Sequence, residues 1–239
     1  MVLIKRLIVK NFKSIRQMEL NCRRVNVFIR EPNSGKSNIL ESLGLLSHLY
    51  HAGNLFDYVR TNIILDLFYD RDISKPIEIF IYDKGLRINV SERGFATFYI
   101  KTGEIFDERA SLNLFSMHNT ISMGGEPFDF IGFYRFKYPL KFEANALTYL
   151  YPPHGGNLLT LLLNSGRLRE LVGKIINRYG YQVVLKPYEK QIEIQKIVDG
   201  FAISIPFNMI SQTLQRTIFY LVAIISNKNS VIIFEEPET

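Results

Sequence analysis

The chain has 239 residues, 47% hydrophobic and 22% charged, a globular composition long enough to bury a core without staples. Its single cysteine, Cys22, excludes an internal disulfide framework and a cysteine-based zinc site. No uncharged apolar run approaches the ~18 residues of a membrane helix, so a cytoplasmic protein with no membrane partner is expected.

The net charge of +6 is unevenly spread. Residues 1–30 hold eight basic side chains against Glu19 alone, so the remaining 209 residues sum to about neutrality. Such a segment suits polyanions, either nucleotide phosphates or nucleic acid. It equally suits solvated edge strands, where Lys and Arg discourage sheet-to-sheet association.

In chain order, residues 2–10 and 14–20 read as strands joined by a turn at Asn11-Phe12-Lys13, and 24–29 as a third strand. A polar loop leads to a helix over 36–50 whose apolar face is Ile39, Leu43, Leu46 and Tyr50. Residues 76–101 alternate as an antiparallel meander, with Ile77, Ile79 and Ile81 on one face. Residues 102–157 predict short helices and loops. A helical stretch runs over 158–179, interrupted near Ser165-Gly166 and closed by Gly180. Strands follow over 181–186, 191–198 and 201–207, the last two joined by the hairpin signal Asp199-Gly200. A helix over 213–227 and a buried strand over 231–234 complete the pattern. His48, His51, His118 and His154 read as surface or loop residues.

The most specific segment is Glu31-Pro32-Asn33-Ser34-Gly35-Lys36-Ser37-Asn38. Gly-Lys-Ser between a strand and a helix is the end of a phosphate-binding loop. Backbone N–H groups and the helix N-terminus surround an anion there. Lys36 would reach the β- and γ-phosphates, and the Ser37 hydroxyl would ligate Mg²⁺. Arg30 stands where the full pattern expects glycine. Val231 to Phe234, ending in Glu235-Glu236, has the form of a Walker B strand. Glu235 would hold Mg²⁺, and Glu236 would polarise the attacking water as general base.

With Ile210-Ser211-Gln212-Thr213-Leu214-Gln215-Arg216 preceding that strand, the chain resembles ABC-type P-loop ATPases of the SMC/RecF/OLD kind. Asn11-Phe12-Lys13-Ser14, EPNSGKSN and Phe234-Glu235-Glu236-Pro237-Glu238 match that family's elements. The resemblance implies one α/β head domain over 1–239, a P-loop NTPase core with an antiparallel β lobe and a helical insertion. Its sub-regions would be 1–50 (strand, phosphate loop, helix), 62–105 (antiparallel lobe), 106–180 (mainly helical insertion) and 181–239 (hairpin, signature helix, Walker B). It adds Lys13, Asn33, Ser34, Asn38 and Ser211 to Gly35, Lys36 and Ser37 as nucleotide-binding residues, Ser211 acting across a subunit boundary. The chain stops three residues after Glu236, so the resemblance implies a head cut short after Walker B.

The function so implied is Mg-ATP binding and hydrolysis in DNA maintenance or defence. The expected partners are ATP, a second chain or self-association across the nucleotide site, and DNA. The alternative is a non-hydrolysing nucleotide-binding or nucleic-acid-binding module.

Overall fold

The computed structural model describes residues 4–29, 35–116, 127–137, 142–143 and 148–235. In chain order the elements are β1 (Arg6–Phe12), β2 (Ile15–Asn21), α1 (Lys36–His51), α2 (Leu55–Tyr58), β3 (Ile77–Ile81), β4 (Lys84–Val90), β5 (Phe95–Thr102), β6 (Ile105–Asn113) and β7 (Ile131–Arg135). They continue with α3 (Leu158–Asn164), α4 (Gly166–Asn177), β8 (Gln182–Lys186), β9 (Gln191–Val198), β10 (Phe201–Pro206), α5 (Gln212–Ser226) and β11 (Val231–Glu235). The architecture is mixed α/β with antiparallel sheets, and β7 and β11 form a separate two-stranded sheet. The chain divides into two compact units: Met1–Phe133 with Asn229–Ile233, and Tyr134–Lys228 with Phe234–Thr239.

The first unit is built on a six-stranded sheet of order β2-β1-β3-β4-β5-β6. Alternation puts Leu7, Val9, Ile77, Ile79, Leu86, Ile88, Phe98 and Ile100 in the core, with Leu45, Leu46 and Leu49 of α1 in the same cluster. On the opposite face Lys10 and Arg87 both pair with Glu78, and Arg6 pairs with Glu19. Part of the basic N-terminal segment is therefore engaged in cross-strand ion pairs.

Helix α1 is buried on all sides from Glu41 to Leu49, more than its predicted apolar stripe required. Gly44 makes this possible: a Cβ there would lie 2.8 Å from the Tyr58 carbonyl oxygen and 3.1 Å from the Phe133 ring. The polar residues so enclosed find backbone partners. Ser47 Oγ donates to Ile131 O (2.9 Å) and accepts from Phe133 N (3.2 Å). His51 Nε2 lies 3.2 Å from Ile131 O, and His48 Nε2 lies 3.1 Å from Gly53 O. Both histidines are buried, contrary to the surface positions expected from sequence. Burial disfavours their charged forms and pushes both pKa values down to about 4. His118 lies outside the described residues.

Two predicted elements differ from the structure. Residues 24–29 form no strand. Both edges of β1 are already taken by β2 and β3, and Val25, Val27 and Ile29 remain 74%, 73% and 84% exposed. Ile105–Asn113, expected in a mainly helical insertion, is β6, which extends the meander as the outer strand of the six-stranded sheet. As an edge strand with mostly exposed side chains it lacks the apolar alternation that would announce it.

The second unit carries a three-stranded antiparallel sheet of order β10-β9-β8. Asp199 and Gly200, at φ 50° and 84°, make the predicted tight hairpin. Ser165 breaks α3 from α4, and its Oγ caps α4 by accepting from Leu168 N at 3.3 Å. Tyr134, Phe219, Tyr220 and Phe234 form an aromatic cluster. Burial pushes the Tyr134 hydroxyl well above the usual phenol range, so it remains a neutral donor to Leu150 O at 2.5 Å. Among the described residues no helix is long and apolar enough to cross a membrane.

Candidate nucleotide site

In the first unit the phosphate-loop residues open α1. Gly35 is its N-cap in the left-handed conformation, φ 82°. A Cβ at this position would lie 2.8 Å from Ser14 Oγ, so glycine meets both a backbone and a space requirement. Asn38 Nδ2 donates to the same Ser14 Oγ at 2.7 Å. The turn between β1 and β2 is thereby fastened to the first turn of α1. Lys36 and Ser37 occupy that first turn, which contains no acidic residue. Asn38 N donates to Gly35 O at 3.1 Å, and the N-terminal end of this sixteen-residue helix carries the partial positive charge of the helix dipole, suited to an anion. Arg30, Asn33 and Ser34 lie outside the described residues.

Lys13, which the family resemblance adds to the nucleotide-binding residues, is bonded to α1. Its Nζ donates to Glu41 of α1 and to Arg60 O at 2.7 Å. Arg60 Nε donates to the other Glu41 oxygen at 2.8 Å. Glu41 is fully buried, and two cations neutralise it. Lys13 is thus the counter-ion of a helix carboxylate, and through it the β1–β2 turn gains a second tie to α1. Sequence reasoning passed over Glu41 because it sits among the apolar residues of the predicted helix with no pattern marking it as buried.

Ser211 and Glu235 belong to the second unit. Ser211 is an exposed N-cap of α5, its carbonyl accepting from Leu214 N (3.0 Å) and Gln215 N (3.1 Å). The buried Gln215 side chain donates to Ile210 O at 2.9 Å and Asn208 O at 3.3 Å, which fixes the approach to the helix. Glu235 ends β11 with a side chain only 3% exposed. Arg135 Nε, from β7, donates to Glu235 Oε2, and Nη2 is in ion-pair contact with the same oxygen. Tyr220 Oη donates to the Glu235 carbonyl at 3.3 Å. Arg135 is held through its backbone, donating from N to Pro153 O at 3.1 Å, with His154 Nδ1 2.8 Å from its carbonyl. Nearby Arg216 lies over the Phe136 ring, 5.6 Å from its centroid. The sequence placed Arg135 in a region read as loops, so the pair was not foreseen. Glu236 lies outside the described residues.

The chain matches no protein-family model, and no curated protein matches it.

Proposed function

We propose that this chain is the ATP-binding head of an ABC-type P-loop ATPase similar to the SMC/RecF/OLD kind, working in the cytoplasm on DNA maintenance or defence. The observation that carries the reading is the left-handed Gly35 at the start of α1, with Lys36 and Ser37 in a first turn free of acidic side chains. Gly-Lys-Ser in that geometry suits the phosphates of a nucleoside triphosphate. Lys36 would balance phosphate charge, Ser37 would ligate Mg²⁺, and Glu236 would take the proton of the attacking water. Mg²⁺ suits the Ser37 hydroxyl; at Glu235 it meets a carboxylate already paired with Arg135. Ser211 would complete the site of a second copy, and DNA is the proposed macromolecular partner.

Calorimetric titration with a non-hydrolysable ATP analogue, with turnover measured in parallel, tests this reading. Micromolar binding that is lost in Lys36→Ala supports it, and absence of binding removes it. A second reading, binding without hydrolysis, draws support from the Arg135–Glu235 pair, which occupies the carboxylate a catalytic metal would use. Binding with no turnover favours that one.

A further inference from the structure

We propose that β10 is an open sheet edge that takes β10 of a second copy, the two strands pairing antiparallel about a two-fold axis at Ile203. In the order β10-β9-β8 only the β9 side of β10 is paired, and among the described residues no other backbone group bonds to it. Phe201 is 75% exposed and Ile203 51%. Sheet edges are ordinarily guarded by charge, by a bulge or by proline. The edges of the larger sheet and the far edge of this one follow that rule. Strand β2 carries Arg16 and Glu19, β6 carries Asp107, Glu108 and Arg109 with a register shift beside Tyr99, and β8 carries Lys186. Strand β10 has no charged residue, its register with β9 is unbroken, and its one proline, Pro206, stands at the far end.

The strand is complementary to itself. Pairing with β9 sets Phe201 opposite Val198 and Ile205 opposite Ile194, so Phe201, Ile203 and Ile205 share one face. An antiparallel pair centred on Ile203 brings that residue against the partner's Ile203 and Phe201 against the partner's Ile205, with apolar side chains opposed along the face. Pro206, which has no N–H to donate, falls just outside the ladder. Charge does not oppose the contact. Lys196, opposite Ile203 on β9, would lie about 14 Å from its symmetry mate across three strand spacings, beyond the screening length at physiological salt. The joined sheet ends on β8 at both sides, where Lys186 guards the edge, so assembly closes at two copies. The contact lies within the second unit and does not rest on the nucleotide reading.

The test is sedimentation velocity of the whole chain without nucleotide. Wild type should form dimers as concentration rises through the micromolar range. Ile203→Lys should raise the dissociation constant on the order of tenfold, because it sets like charges directly opposite one another. In a Cys22→Ser background, a thiol oxidant should cross-link Ile203→Cys between copies about tenfold faster than Phe201→Cys, because position 203 faces itself and position 201 does not. A wild type that stays monomeric at on the order of 100 μM overturns the proposal. So does a dimer that appears only with an ATP analogue, that survives Ile203→Lys, or that cross-links equally at both positions. Should Ile203→Lys fail to fold against Lys196, hydrogen exchange on wild type decides. The amides of residues 201–205 should gain protection as concentration rises, and protection independent of concentration overturns the proposal.

Discussion

Ser14 Oγ accepts a hydrogen bond from Asn38 Nδ2 at 2.7 Å, so the turn between the first two strands sits directly on the start of α1. The same oxygen closes the space beside Gly35. The start of α1 is therefore coupled to a turn more than twenty residues earlier.

Gly35→Ala should destabilise the protein by about 1–2 kcal/mol, because alanine is strained at φ 82° and its Cβ meets Ser14 Oγ. Ser14→Gly removes the obstructing oxygen and should restore part of that loss but not the dihedral strain. Urea unfolding of the two single variants and the double variant checks both components.

Lys13→Met should cost about 3 kcal/mol, because it removes a cation paired with the buried Glu41 carboxylate. Arg60→Met should cost less, since Arg60 is 51% exposed against 15% for Lys13. If the main role of Lys13 is structural, folded Lys13→Met should bind an ATP analogue within a few-fold of wild type. A stability cost no larger than that of Arg60→Met would contradict the assignment.

Acid should destabilise the first unit through His48 and His51. Each would titrate near 6.5 when unfolded and near 4 when folded. Below pH 6.5 the unfolded chain takes up protons that the folded chain refuses. Stability is thus complete above that value and falls by a few kcal/mol as pH drops towards 4. Denaturation midpoints at pH 7.5, 6 and 5 read the slope. His48→Gln should flatten it.

Under the nucleotide reading, Lys36→Ala should abolish binding of Mg-ATP, because the phosphate charge goes uncompensated. Glu236→Gln should keep binding and remove most turnover, since it retains shape and loses the base. Parallel binding and turnover assays separate the two outcomes. Turnover in Glu236→Gln equal to wild type would reassign the general base.

Val25, Val27 and Ile29 form an exposed apolar row, which is an association hazard. Val27→Lys with Ile29→Lys should lower the apparent mass at high concentration by light scattering. A wild type that stays monomeric under those conditions would show that the row is tolerated in solution.

What the sequence determined is local. The Asp199-Gly200 hairpin, the break at Ser165 and the helix opened by Gly35 each depend on the dihedral range or capping chemistry of one or two neighbouring residues, whereas the helix expected to run to Tyr179 and close at Gly180 ends at Asn177 with Arg178 as its C-cap. The alternating strands of the meander were legible because one face of that sheet is buried. Tertiary structure decided the rest. Residues 24–29 have strand character, but a strand exists only through hydrogen bonds to a neighbour, and none of the described strands pairs with them. Burial of Glu41, His48 and His51 depends on what encloses the far side of α1, which its own periodicity does not encode. Arg135 and Glu235 stand a hundred residues apart in the chain. Their pairing is set by the fold because Coulomb attraction depends on distance in space and on burial rather than on order along the chain.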